Sequence, residues 1–487
     1  MVQRGGASAD NRTRVIRRSC SVTRYSSGTC EKSGPNGTCH LCESRVSRSS
    51  RLPRRHSHAP DSPWRALSHR NFSLFIVGRG LTLCGMWMQT MAQAWLLYRL
   101  TSSPFLLGVL EFLLRGPLLV FGLFGGVLAD RWPRHRLLLV AQSLLLVQAA
   151  ILAALTLSGL ITVSWILSLG LLFGLISAVD VPVRQAFVTD LVPRHDIPSA
   201  IGLNSSICNL SRISGPLLAG ITVVAIGEGP CFVISALGFL MILGCLAAMR
   251  VPAGLPITEG SLGVQLREGL RYVWHTPQAR AMILMSAGLS VVAMPYSTLL
   301  PVFARDVLQG NAAAMGWLMG ANGLGALAAA LRHARRRSMD GIVGSIIGAV
   351  FLFSLGLLLL AWSRHVILSL FALTAIGYGM VSSLAGGNIL LQMMAPESLR
   401  GRVASLYATV SLGTTIFGSL LAGIGASYFG APITVAIGAT LTLALAVWGW
   451  GALRGTESLS PSSAGNSTTD QLPLRAPERP ERLAQIT

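Results

Sequence analysis

The sequence predicts an all-α membrane protein with twelve transmembrane helices in two pseudo-symmetric six-helix bundles. Three observations predict it. Composition comes first: 52% of the 487 residues are hydrophobic and only 12% are charged, where soluble domains carry about 25% charged residues. Second, the stretch from about residue 72 to residue 452 divides into twelve apolar runs, and crossing a bilayer takes about 20 apolar residues. Third, an internal repeat sorts the runs into two sets. Pro193 to Leu217-Leu-Ala-Gly220 matches Pro396 to Leu420-Leu-Ala-Gly423 at an offset of 203, each copy starting after an even number of runs.

Taken in order, residues 1–64 are rich in Arg, Ser and Gly without apolar periodicity, and are expected to be disordered. Cys30 and Cys39-His-Leu-Cys42 lie there. A zinc knuckle would need a second CxxC or a spaced His pair, and neither is present, so no metal is expected. The first bundle is predicted over 65–250, with spans at about 72–98, 105–129, 137–159, 163–182, 199–226 and 230–250. Residues 251–279 form a linker. Leu262–Trp274 alternates apolar and charged residues at helical spacing, which predicts an amphipathic surface helix. The second bundle is predicted over 280–453, with spans at about 281–303, 312–331, 341–362, 366–388, 403–427 and 431–452; residues 454–487 form a second disordered tail.

Charge sets the orientation. The net charge is +20, but about half of it precedes residue 71 and the rest falls in short joints. That distribution fits contact with anionic lipid rather than nucleic acid. Even-numbered joints hold Arg131, Arg134 and Arg136, then Arg184 and Arg194, then Arg267, Arg271 and Arg280, then Arg332 and Arg335 to Arg337, then Arg400 and Arg402. Odd-numbered joints hold only Arg99, Arg305 beside Asp306, and Arg364. Arginine collects on the cytoplasmic side of such chains, which predicts a multi-pass protein of the cell (inner) membrane with both termini cytoplasmic. Cys84, Cys208, Cys231 and Cys245 stand singly in apolar runs, where a small buried hydrophobe is the ordinary role.

The joint between the second and third runs reads Gly126-Val-Leu-Ala-Asp130-Arg131-Trp-Pro-Arg134-His-Arg136. It resembles the signature loop of the major facilitator superfamily of transporters, with Pro133 a departure from the pattern. The resemblance implies that Arg131 or Arg134 pairs with Asp180, beside Arg184, and that Asp130 meets the amino end of the eleventh helix near 401–403. An acid there is favoured by the exposed N–H groups of a helix start. Together these contacts would latch the halves. In the fifth run, Ser211, Gly215 and Ala219 form a small-residue stripe, and Pro216 removes a backbone hydrogen bond. The segment Ser211-Arg-Ile-Ser-Gly215-Pro216-Leu-Leu-Ala-Gly220 resembles the antiporter motif of superfamily exporters. Its expected partner is the smooth face of the eighth run, with Gly316, Gly320, Gly323 and Gly325. Trp64-Arg-Ala-Leu-Ser-His-Arg-Asn-Phe72, Trp87-Met-Gln89, Pro182-Val-Arg-Gln-Ala-Phe187 and Leu203-Asn-Ser-Ser206 resemble the drug:proton antiporter-3 group, over about residues 64–452. That group includes enterobactin exporters, macrolide-efflux proteins and transmembrane secretion effectors. The resemblance implies export of small molecules in exchange for protons.

Charges at membrane depth are costly and mark function. Glu111 and Arg115 are four residues apart, share a helix face and can pair, so Glu111 is the proton-carrying candidate. Arg79 either snorkels to the surface or faces the cavity. Arg212 is expected to pair with Glu111 or Asp180. Gln89, Gln93, Asn204, Asn322, Tyr378 and Asn388 are the polar candidates for the cavity, with Tyr296 beside them. A largely apolar cavity suits an amphipathic or aromatic substrate. No nucleotide loop, metal cluster or nucleophile constellation appears, so neither enzyme activity nor a cofactor is expected. The expected partners are a small-molecule substrate, protons and membrane lipid, with the chain a monomer. Two rivals are an importer or lipid-translocating protein of the same fold, and a non-transporting membrane sensor, which would need a folded domain outside the membrane.

Overall fold

The protein is described from a computed structural model at residues 65–249, 270–336, 341–397 and 399–454, with backbone alone at 123, 127, 129 and 130. The expectations for 1–64, for most of the linker and for the tail from 455 lie outside the described residues. Residues 270–275 are helical, at the end of the predicted surface helix.

Among the described residues, twelve helical elements cross between two faces. They are α1 (Arg70–Thr101), α2 (Pro104–Arg131), α3 (Arg134–Leu157), α4 (Val163–Asp190), α5 (Ile197–Ile226) and α6 (Gly229–Ala247). The second set is α7 (Pro277–Val307), α8 (Ala312–Arg335), α9 (Ile342–Trp362), α10 (Val366–Met394), α11 (Arg400–Phe429) and α12 (Ala431–Leu453). Eleven are long and apolar enough to cross a bilayer; α1, of 32 residues, is long enough but carries Arg79, Gln89 and Gln93. Several expected ends move outward: α4 runs eight residues past the expected 182 and α10 ends at 394 rather than 388. Apolar runs report the hydrocarbon layer, and these helices continue beyond it.

Local chemistry sets the joints. Ser103 and Thr162 accept from Leu106 N and Trp165 N and cap α2 and α4; Asn311 accepts from Ala313 N at 3.1 Å and caps α8. α5 ends at Gly227 (φ 86°) and α11 at Gly430 (φ 82°), 203 residues apart, so the repeat extends to the joints that require positive φ. α7 is not a uniform helix: it passes through a 3₁₀ turn at Met294–Leu299 and a π turn at Phe303–Val307.

The helices pack within their own half, α2 on α4, α1 on α6 and α5, and α3 on α6 in the first, α8 on α10, α9 on α10 and α12 in the second. Two broad contacts join the halves, α5 with α8 and α2 with α11, and they are equivalents under the repeat. Both run close because glycine removes the side chain at the touching point: Gly220 meets Ala312 and Gly316, and Gly108 meets Ser419 and Gly423.

Candidate transport pathway

The positions of these contacts define a cleft. We call the face carrying residues 131–136 the near face and the opposite one the far face. α5 touches α8 through 220 against 312, Pro216 against Gly316, Leu217 against Gly320 and Ile213 against Gly323. α2 touches α11 from Pro104 against Gly423 to Leu119 against Gly413. These contacts cover the far half and the middle. Toward the near face these contacts stop: Gly122 and Gly126, the next positions on the α2 face that touches α11, have no α11 atom within 4 Å of where a Cβ would sit, and Ser205 on α5 is exposed. The far end is shut further by a clasp. Tyr98 Oη donates to Asp306 Oδ2, and Arg305 donates to the Tyr98 carbonyl and to Ser102 Oγ, each at 3.2 Å. Arg305 also lies over the Tyr98 ring. Nearby Arg99 binds Glu228 at 2.9 Å. The cleft is open to the near face and closed to the far one.

At the middle of this cleft lie four groups from four helices. On α2, Arg115 Nε donates to Glu111 Oε2 at 2.6 Å. The pair shares the helix face of Gly108 and Leu119, so it looks toward α11. On α5, Arg212 donates to Asn322 Oδ1 at 3.3 Å, and Asn322 Nδ2 donates to Tyr296 Oη on α7 at 2.6 Å. Arg212 also lies within electrostatic reach of Arg115. The expected Arg212 partners, Glu111 and Asp180, are therefore replaced by a neutral amide, because Glu111 is taken by Arg115 and Asp180 lies elsewhere.

Asp180 is buried inside the first bundle, where Arg184 binds it and Gln142 Nε2 donates to it at 2.7 Å. Arg134 instead holds Asp190, at 2.8 and 3.0 Å. This corrects the expected pairing of Arg131 or Arg134 with Asp180: α4 is longer than its apolar run, so Asp190 and not Asp180 reaches the signature loop. The Asp130 side chain lies outside the described part of the structure. Gly126 has open space where a side chain would sit, and Arg131 is exposed. Arg79 neither snorkels nor faces the cleft. It is 7% exposed, beside Asp180, Arg184 and Cys208, and its Nε finds no hydrogen-bond partner among the described residues.

The polar candidates divide. Gln89 donates to Gln148 and accepts from Ser235, and Gln93 donates to the Ile166 carbonyl, so both are buried inside the first bundle rather than lining the cleft. Asn204 has a buried Oδ1 without a hydrogen-bond partner among the described residues. Asn388 accepts from Gln392, and Tyr378 Oη accepts from Arg332 at 2.5 Å. The α5 stripe also divides: Ser211 donates to the Gly80 carbonyl and Gly215 meets Trp87 and Cys84, so that edge faces α1, while Pro216 and Gly220 face α8. On α8, Gly316, Gly320 and Gly323 meet α5, but Gly325 meets Thr374 on α10. Sequence reasoning missed the far clasp; its signal was the Arg305-Asp306 pair, in a half with few acids.

On the near face, Asp196 gathers Arg65 at 3.0 Å and His69 at 2.8 Å, tying the start of α1 to the joint before α5. The His69 hydrogen bond, with Arg65 and His195 beside it, holds the Asp196 carboxyl below the usual carboxylate range against the opposing effect of burial.

The profile of a family described as transmembrane secretion effector matches residues 61–474. The chain is 27% identical to the staphyloferrin A transporter of Staphylococcus aureus over 73% of its own length and 90% of that protein's. It is 27% identical to the enterobactin exporter EntS of Salmonella choleraesuis, over 74% and 86%, and 26% identical to the multidrug efflux pump Tap of Mycolicibacterium fortuitum, over 63% and 77%. Among solved structures, the nucleoside transporter NupG superposes with a TM-score of 0.63 at 12% identity, over 79% of this chain and 99% of that one. A bacterial homologue of the lysosomal transporter Spinster gives 0.60 at 14%, over 82% and 100%. At such identities these structures show the fold.

Proposed function

The chain belongs to the transmembrane secretion effector family of major facilitator transporters, and from that premise we propose that it exports small amphipathic molecules in exchange for protons. The observation that carries the reading is the cleft itself, open at one face and closed at the other by glycine contacts and the Tyr98–Asp306 clasp. Such a cleft is one end state of alternating access, in which two halves rock about a site near the bilayer midplane. Relatives named for siderophore export and drug efflux support the outward direction. Arginine enrichment of the near face supports a cytoplasmic near side, and the cleft then loads from inside the cell.

Glu111 is the proton carrier in this reading. It lies on the bundle interface, on the first-half helix that touches α11, and its guanidinium partner is on the same helix. Protonation breaks the ion pair where the halves meet, which gives the proton a lever on the rocking motion. In proteoliposomes, Glu111→Gln is expected to abolish transport driven by a pH gradient while substrate still binds. Undiminished gradient-driven transport in that variant removes Glu111 from the mechanism. Accumulation rather than depletion of substrate in cells making the protein would turn the direction to import.

A further inference from the structure

We propose that Arg212 is the docking point for an acidic group, so that the substrates are amphipathic acids. This rests on the transport reading above and names its substrate class. The argument is one of charge accounting. Every described acid of the first half is engaged elsewhere: Glu111 by Arg115, Asp180 by Arg184, Asp190 by Arg134, Asp196 by Arg65 and His69, and Glu228 by Arg99. The backbone of Asp130 is fifteen residues beyond Arg115, about 22 Å along the helix. In the second half the described acids, Asp306 and Glu397, both fall at or beyond the ends of helices. Among the described residues, Arg212, midway along α5, therefore has only the Asn322 amide oxygen and the nearby Tyr296. With Arg115 neutralised by Glu111, one surplus positive charge remains at the centre of the cleft.

A guanidinium at that depth is expensive unless something balances it. An incoming carboxylate or comparable oxyanion does so, in a geometry for which guanidinium is suited. Asn322 Oδ1 at 3.3 Å occupies only part of the guanidinium's five donors. Tyr296 lies beside it to donate a second hydrogen bond, and the otherwise apolar second half accepts the body of the molecule. The acid and the proton thus use different groups, the acid Arg212 and the proton Glu111.

The test uses one pyrene body with three heads: 1-pyrenebutyric acid, its methyl ester and the matching trimethylammonium derivative. Binding to the full-length protein in nanodiscs is read by energy transfer from tryptophan at constant pH. The acid is expected to bind at least about tenfold tighter than the ester. Arg212→Gln should weaken the acid by about that factor and leave the ester unchanged, which also shows that the variant is folded; Arg212→Lys should keep part of the preference. Equal binding of acid and ester, no binding of the acid, or an unaltered acid preference in Arg212→Gln overturns the proposal. A pH series separates it from the exchange reading. Acid binding that tightens as Glu111 takes up a proton would put substrate and proton on one stroke, overturning proton exchange while leaving the Arg212 site in place.

Discussion

Replacing Gly316 by Ala should move the protein away from the state described here. A Cβ at residue 316 would sit 2.5 Å from the Pro216 carbonyl oxygen and 3.2 Å from Gly220 Cα, where ordinary contact begins at 3.4 Å. The first neighbour is helix backbone, so relief requires α5 and α8 to part by about 0.9 Å at their crossing. Overpacking of this kind costs about 1–3 kcal/mol. The cost falls on the far-closed state alone, because opening the far side separates α5 from α8 at this point. The ratio of near-open to far-open protein should then fall by about 5- to 150-fold. The assay is alkylation of Ser205→Cys by a membrane-impermeant maleimide in an otherwise cysteine-free chain. Ser205 is exposed and lies three turns before Pro216 on the face that continues toward α8. Labelling from the near side should slow with Gly316→Ala. Gly344→Ala is the control, since nothing lies within 4 Å of a Cβ there. Unchanged labelling in Gly316→Ala, or equal slowing in Gly344→Ala, refutes the claim that this contact holds the far side shut.

Asp306→Asn should slow the same labelling reaction, because hydrogen bonds to charged groups contribute about 1.5–3 kcal/mol and Tyr98 would donate to a neutral oxygen instead; Tyr98→Phe should act in the same direction, and faster labelling in either would contradict the clasp. Asp196 gives a pH prediction whose sign is fixed by its depressed pKa. The stability it adds is present above the ordinary carboxylate pKa and is lost as pH falls through its folded value, so the melting temperature in detergent should drop on the acid side and Asp196→Asn should flatten that drop. Gln148→Leu leaves Gln89 Nε2 and the Leu169 carbonyl without their partner in a buried site, which should cost about 1–3 kcal/mol, read as a lower melting temperature with transport selectivity intact.

The helices were legible because each needs enough apolar residues to cross hydrocarbon, a requirement local sequence meets or fails by itself. Their ends were less so. The apolar run stops at 182 and points to Asp180 as the foot of the fourth helix, whereas the helix continues to Asp190 and hands the signature-loop contact to that residue. Polar residues inside spans carried the same ambiguity in another form. Gln89 and Asn322 are both amides in apolar helices, yet one is spent on Gln148 and Ser235 within a bundle and the other faces Arg212 across the halves. Which of the two occurs depends on what lies opposite, and no periodicity within one helix encodes that. The α5 stripe shows the limit well: the spacing found the small residues, but α1 takes one edge and α8 the other.

The division of charge between the halves bears on how they move. The described ion pairs of the first half close within it, Arg184 on Asp180 inside α4, and Arg134 on Asp190, Arg65 on Asp196 and Arg99 on Glu228 between its helices and joints. Across the halves, the broad contacts are made by Gly108, Gly220, Gly316 and Gly423 with neighbouring backbone. Contacts of that kind gain dispersion energy over many weak pairs and forfeit it within a fraction of an ångström of separation. They break without exposing buried charge. Among the described residues, the cross-half hydrogen bonds, Tyr98 to Asp306, Arg305 to the Tyr98 carbonyl and Ser102, and Arg212 to Asn322, sit at the far clasp and at the central site. The energy that decides between the two end states is therefore concentrated where a ligand or an external proton can reach it.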